Sequence, residues 1–230
     1  IIFNGEIYNY QSLEKEHGIE QKTSSDTEIL VELYAKYRHK FLPWLNGMFS
    51  LVILDKNKNE FFVARDRLGI KPLYVFKKDK QLIISSEIAP LVQIIGQPKF
   101  DKIGLRQYMK LRTFFNGRTP YENISAFPAG HYMKNGKMYQ YWRLPEHDQK
   151  PPSDEEIRFL VTKAVKDRLL SDVSVGSYLS GGLDSTIIAA LSKKLHTWTV
   201  GFQNNNEFNY AKIAAKHIGS SHHEVNINYE

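Results

Sequence analysis

Three prolines fall within eight residues at Pro145-Glu146-His147-Asp148-Gln149-Lys150-Pro151-Pro152, and the hydrophobic pattern differs on the two sides of that stretch. Proline fixes φ and removes a backbone donor, so neither a helix nor a central strand runs through such a segment. Before it, short aromatic and β-branched runs alternate with turn residues, as antiparallel strands do. Behind it, strand-like and helical runs alternate, which is the grammar of a parallel sheet with covering helices. The chain reads as two domains, 1–144 and 153–230, joined by a linker at 145–152. The fold class expected is α/β, with an α+β first half.

In the first half, Ile1-Ile2-Phe3 reads as the end of a buried strand running into Asn4-Gly5-Glu6, and residues 7–16 have helical spacing. Ser25-Asp26-Thr27-Glu28 has the Ser-x-x-Glu form of a helix start. Ile29, Leu30, Leu33, Tyr34 and Tyr37 then make one apolar face of a helix ending near His39. Residues 48–54, 60–65, 73–77 and 81–86 read as one meander of antiparallel strands. Residues 101–113 read as a helix, and 126–133 with 137–142 as a hairpin through Asn135-Gly136.

In the second half, Ser153 and Glu156 open a helix with Ile157, Leu160, Val161, Ala164, Val165 and Leu169 on one face. Strands follow at 175–179, 197–202 and 224–227, with helices between them at 186–195 and 209–218. Between the first strand and its helix stands Ser180-Gly181-Gly182-Leu183-Asp184-Ser185. A glycine pair there lets backbone N–H groups approach an anion, and the helix N-terminus adds its positive dipole end. Ser180 and Ser185 add hydroxyls, and Asp184 beside a phosphate calls for a divalent cation between them. No Lys follows the glycines as in a Walker A loop, and the G-x-G-x-x-G spacing is absent. The same six residues also suit a plain strand-to-helix turn.

Charge and composition narrow the function classes. The formal charge is +6, yet residues 151–230 hold 8 Lys and Arg against 9 Asp and Glu, and residues 1–150 hold 23 against 16. The basic residues are interspersed with acids, and the densest group, Lys77-Lys78-Asp79-Lys80, suits a solvated turn rather than a phosphate-backbone patch. No nucleic-acid partner is expected. No apolar run approaches the ~20 residues of a membrane span, so no membrane role is expected either. The chain has no Cys, which fits a reducing compartment and rules out thiolate metal sites within these residues. His222 and His223 are adjacent on a strand and face opposite ways, so a shared metal is not expected.

Tyr178-Leu179-Ser180-Gly181-Gly182-Leu183-Asp184-Ser185 resembles the pyrophosphate loop of the N-type ATP pyrophosphatases. Thr199-Val200-Gly201-Phe202 and His222-His223-Glu224-Val225 resemble the segments that follow it in asparagine synthetases. That resemblance implies a Rossmann-like ATP-binding domain, incomplete here. It implies ATP contacts at Leu179, Ser180, Gly181, Gly182, Asp184, Ser185, Val200 and Gly201, with Asp184 helping to hold Mg²⁺ and with Leu179 and Val200 at the adenosine part. From the pattern alone, Leu179 and Val200 are also ordinary strand core.

Asn4-Gly5-Glu6-Ile7-Tyr8-Asn9 resembles the class II glutamine amidotransferases, whose fold is the N-terminal-nucleophile αββα sandwich, also incomplete here. The resemblance implies an oxyanion hole made by the Asn4 side chain and the Gly5 N–H, with Glu6 and Asp26 binding the amino end of glutamine. On pattern alone Asn4-Gly5 also suits a hairpin turn, and Asp26 a helix cap. Arg65-Asp66-Arg67-Leu68-Gly69-Ile70-Lys71-Pro72-Leu73-Tyr74 resembles a structural segment of that family, and Pro128-Ala129-Gly130-His131 its closing part.

Together these stretches resemble the glutamine-hydrolysing asparagine synthetases over nearly the whole chain. The resemblance implies a cytoplasmic ligase acting on glutamine, aspartate and ATP through β-aspartyl-AMP, and it allows a homodimer. The family's nucleophile, an N-terminal Cys, is absent, and so is a downstream Ser-Gly-x-Gly-x-Asp-Glu segment. The expectation is an internal piece of the enzyme, inactive by itself as a glutaminase. A β-lactam synthetase, a sugar or peptide amidotransferase, and an inactive binding fragment are the alternatives.

Overall fold

Ile2–Ile7 forms β1, antiparallel to β2 (Gly47–Asp55), and β2 pairs with β3 (Glu60–Arg65). The chain then crosses to a second sheet. There β4 (Tyr74–Lys78) lies between β5 (Gln81–Ser85) and β6 (Ile124–Ala126). It returns through β7 (His131–Lys134) and β8 (Lys137–Gln140), which complete the five-stranded order β1-β2-β3-β7-β8. The single meander expected from the pattern is thus divided between two sheets, and the 126–133 run is split between β6 and β7. The Asn135-Gly136 hairpin is present, both residues having positive φ as a two-residue turn requires. This computed structural model describes residues 1–146, 151–171, 173–192, 195–202 and 206–228. Of the expected linker 145–152, residues 147–150 lie outside the described residues.

Side-chain alternation stacks four layers in this unit. Phe49, Leu51, Ile53, Phe62 and Ala64 meet Leu13 of α1 (Tyr10–His17) and Ile29, Leu30 and Leu33 of α2 (Asp26–Tyr37). The opposite face of the large sheet presents Val63, Met133, Val52 and Phe61 to Leu73, Val75 and Phe127 of the smaller sheet and its flanks. The far side of the smaller sheet, with Phe76 and Ile124, is covered by Leu91 of α3 (Ile88–Ile95). Helix, sheet, sheet, helix is the αββα sandwich. Outside it α4 (Lys102–Leu111) is tied down by its cap Asp101, which accepts from the Ile103 and Gly104 N–H groups and pairs with Arg118 at 2.6 Å.

The crossing between the sheets is fixed by two adjacent side chains of opposite charge. Asp66, only 1% exposed, accepts from the N–H groups of Leu68 (3.1 Å) and Ile70 (2.9 Å) on one carboxylate oxygen. Its other oxygen accepts from Lys71 (3.0 Å) and Phe49 (3.2 Å). Arg65 donates to the carbonyls of Lys71, Phe127 and Gly69 at 2.6–2.8 Å. Burial works against the Arg65 charge, and the adjacent Asp66 supports it. Tyr141 donates from its hydroxyl to the Arg65 carbonyl at 2.9 Å, and burial pushes this phenol above its usual range, so it stays a neutral donor.

The helix starts differ in detail from expectation. Ser25 accepts from Thr27 N–H, while Glu28 turns to the Lys22 and Thr23 N–H groups instead of back to Ser25. Ser153 does cap α5 (Asp154–Asp167) through Glu156 N–H.

The chain divides into two compact units, Ile1–Glu146 and His147–Glu230. The second holds β9 (Gly176–Tyr178), α6 (Leu183–Ser192), β10 (His196–Phe202), α7 (Phe208–Ile218) and β11 (Ser221–Ile227). The strands are parallel in the order β11-β10-β9. Leu179, Ala189, Ala211, Ala214 and Ala215 form the core where α6 and α7 cover one face. Gly219 ends α7 with φ of 75°, a left-handed cap. Among the described residues no helix is long and apolar enough to cross a membrane.

Removing the Asp66 carboxylate leaves four inward N–H groups without their acceptor. Asp66→Ala is expected to destabilise the first unit by about 3 kcal/mol or more, with Asp66→Asn intermediate. Thermal unfolding reads the loss, and hydrogen exchange at the amides of Leu68, Ile70 and Lys71 should accelerate with it.

Candidate functional site

β1 lies at the end of the large sheet, and the ladder decides which of its backbone groups are left for chemistry. Gly5 stands opposite Phe49. Phe49 spends both its backbone groups on the other side: its carbonyl accepts from Asp66 N–H at 2.8 Å and its N–H donates to the Asp66 carboxylate. Gly5 and Phe49 therefore form a non-hydrogen-bonded, narrow pair, and the Gly5 N–H and C=O point away from β2, to the outer edge. Ile7 has the same parity, and its N–H on that edge meets Asp26 Oδ2 at 2.9 Å. The edge thus carries, in order, a backbone donor at Gly5 and a carboxylate at Asp26.

The narrow pair explains the glycine. A Cβ on Gly5 would stand 2.2 Å from the Met48 carbonyl oxygen and 2.7 Å from Phe49 Cα. Asn4-Gly5-Glu6 is mid-strand, so the hairpin-turn reading of these residues is replaced. Phe3 and Ile7 pack into the helix-side core, which places Asn4 and Glu6 together on the opposite face. Asn4 is registered against Ser50, and Ser50 against Arg65. Asp26 is the first residue of α2, and Ser25 before it serves as the cap.

In the second unit the loop at 180–182 leaves the carboxyl end of β9, where open parallel sheets bind ligands. The Ser180 and Ser185 hydroxyls are hydrogen-bonded at 2.9 Å, Gly182 N–H reaches Ser180 Oγ at 3.3 Å, and Ser185 Oγ donates to the Gly182 carbonyl at 3.2 Å. Gly181 has φ of 79°, and a Cβ there would lie 2.4 Å from the Tyr210 carbonyl carbon of α7. Asp184, in the first turn of α6, is exposed. Thr186 Oγ1, one turn inside the helix, is buried without a hydrogen-bond partner.

These residues suit a polyphosphate with Mg²⁺. The glycine backbone leaves a cradle without side chains, two hydroxyls border it, and the first N–H groups of a ten-residue helix have no intrahelical acceptor. One exposed carboxylate is the usual protein share of a Mg²⁺ site completed by phosphate oxygens and water. Among the described residues no group of three or more His, Cys, Asp or Glu is placed to hold a metal by itself.

The remaining expected contacts divide. Leu179 is 1% exposed and belongs to the helix-side core, whereas Val200 is 45% exposed on the other face, so their side chains do not share a pocket. What they share is backbone. Trp198 C=O accepts from Leu179 N–H at 2.8 Å, so Val200, of the same parity, also directs its N–H to the β9 side. Gly201 beside it is required by space, a Cβ there meeting Asn206 Cβ at 2.5 Å. His222 and His223 separate as expected: the first bonds Thr197 Oγ1 under the helices, and the second bonds His196 on the open face, each at 3.0 Å. Sequence reasoning missed the α7 backbone that props Gly181 and the buried hydroxyl of Thr199, which donates to the Leu179 carbonyl. A threonine in a β-branched run carries no signal of such a role.

The family described as a glutamine amidotransferase domain matches residues 1–142, and the family described as asparagine synthase matches residues 156–230. Asparagine synthetase B [glutamine-hydrolyzing] of Escherichia coli K12 is 32% identical over 252 residues, covering 97% of this chain and 41% of that protein. Asparagine synthetase [glutamine-hydrolyzing] 2 of Bacillus subtilis is 35% identical over 259 residues, covering 98% of this chain and 34% of that protein. The chain spans less than half the length of the curated relatives it matches.

Space and chemistry separate at residues 4 and 5. Gly5→Ala is expected to cost about 1–3 kcal/mol as the added methyl pushes β1 off β2. Asn4→Ala, with a half-buried side chain, is expected to stay within about 0.5 kcal/mol of the parent. The two unfolding midpoints check this.

Proposed function

The chain belongs to the glutamine amidotransferase family, with an asparagine synthase segment behind it, and from that premise we propose that the whole protein makes asparagine from aspartate, with ammonia from glutamine and energy from ATP. The observation that carries the reading is the outer edge of β1, where the Gly5 N–H faces outward and Asp26 waits two residues further along. In this reading residues 1–144 are the glutaminase part, 145–152 the linker and 153–230 the front of the ATP-binding part.

Amide hydrolysis passes through a tetrahedral intermediate with charge on the former carbonyl oxygen. The Gly5 N–H, held rigid by the β1–β2 ladder, and the Asn4 side-chain amide stabilise that charge without reorganising. Glu6 and Asp26 are acceptors for the α-ammonium of glutamine, which sets the register of the substrate along the strand edge. The nucleophile of this reaction class, a Cys whose own α-amino group is the base, is not among residues 1–230.

The second site activates aspartate. A carboxylate is a poor electrophile, so its oxygen attacks the α-phosphorus of ATP, pyrophosphate leaves, and ammonia then displaces AMP from β-aspartyl-AMP. The loop donors at 180–182, the Ser180 and Ser185 hydroxyls and the α6 N-terminus hold the departing pyrophosphate. Asp184 is the residue that would hold Mg²⁺, which neutralises phosphate charge when bound. Leu179, Val200 and Gly201 border the nucleoside end through their backbone. The reading carries with it a cytoplasmic protein with no nucleic-acid or membrane partner, and it allows a homodimer.

The test separates the two sites in the full-length protein. Asn4→Ala and Asp26→Ala are each expected to lower asparagine formation from glutamine by about 100-fold or more while leaving formation from ammonium salts within about twofold. Equal losses with both nitrogen sources, or no asparagine from either source in the parent, would sink the proposal.

A further inference from the structure

Where β9 ends, the Leu179 carbonyl has lost its regular partner. Leu179 N–H still follows the parallel ladder, donating to Trp198 C=O at 2.8 Å. A continued ladder would bring Val200 N–H to the Leu179 carbonyl. The acceptor is instead taken by the Thr199 hydroxyl. Thr199 is 5% exposed and Leu179 1%, so this bond forms away from water. Its two ends are consequential: Leu179 immediately precedes Ser180, and Thr199 immediately precedes Val200.

We propose that Thr199 is the positioning residue of the nucleotide site, its hydroxyl fixing the point at which the chain leaves β9 for the phosphate loop and sparing the Val200 N–H for the ligand. This rests on the ATP reading above and adds to it a residue that touches no ligand. The chain between Leu179 and α6 is short and glycine-rich, and the α7 backbone packs against it at Gly181. With the Leu179 carbonyl anchored at the other end, the loop is held from both sides. Without the hydroxyl, the buried carbonyl must recruit Val200 N–H or swing toward solvent, and either movement shifts Ser180 and its partner Ser185.

A second buried threonine on the same strand supplies the control. Thr197, two residues earlier and 1% exposed, is bonded to Ser220 and His222 rather than to the β9 end of the loop. In the full-length protein, titration calorimetry with α,β-methylene-ATP and Mg²⁺ reads binding without turnover. Thr199→Val is expected to raise the Kd about tenfold, Thr199→Ser to restore it to within about twofold, and Thr197→Val to leave it unchanged. Hydrogen exchange at residues 180–183 should accelerate in Thr199→Val alone. Equal weakening by both valine variants would reduce Thr199 to a core hydroxyl and overturn the proposal, as would failure of serine to rescue. Absence of binding in the parent would instead overturn the ATP reading from which the proposal starts.

Discussion

Four backbone N–H groups converge on the carboxylate of Asp66, and the first unit is organised around that buried anion. Three of the donors belong to the loop that carries the chain between sheets, and the fourth, from Phe49, belongs to the strand beside β1. The same side chain therefore fixes the crossing and settles the direction of the Phe49 backbone groups. Because Phe49 faces Asp66, it cannot pair with Gly5, and Gly5 is turned outward. The availability of the proposed oxyanion donor is thus a consequence of an ion cage on the far side of β2.

The second unit solves a similar problem with neutral groups. In the proposed reading its loop presents backbone N–H to an anion, and a glycine-rich loop has little side chain with which to hold itself. Support comes from neighbours: the α7 backbone against Gly181, the Ser180–Ser185 pair across the turn, and Thr199 beneath Leu179. The glycine-rich loop is braced from the strand behind it and the helix beside it.

Periodicity made most of this legible. The strands at β2 and β3 and the alternation from α5 to β11 follow from apolar spacing, and the glycine-rich stretch at 180–185 stood out by composition, whereas residues 4–6 stood out by resemblance. Assignment of strands to sheets was not legible. Residues 60–65 and 74–78 look alike as aromatic runs with one valine each, and what parts them is the Arg65 guanidinium reaching carbonyls as distant as Phe127. Nor was α3, since Pro90 interrupts Ile88-Ala89-Pro90-Leu91-Val92 and its helix is stabilised by packing on Phe76 and Ile124. At the candidate site, resemblance rather than pattern singled out Asn4, Gly5 and Asp26, and the outward turn of the Gly5 N–H depends on ladder parity, which no single strand reveals.

An anion held by main-chain amides is indifferent to the side chains that those amides carry. Leu68 and Ile70 both donate their N–H to Asp66, yet their side chains are 68% and 51% exposed. Sequence divergence at these two positions can therefore redecorate one stretch of surface while the strand geometry beneath it is inherited unchanged. The loop is a place where descendants of this protein are at liberty to differ.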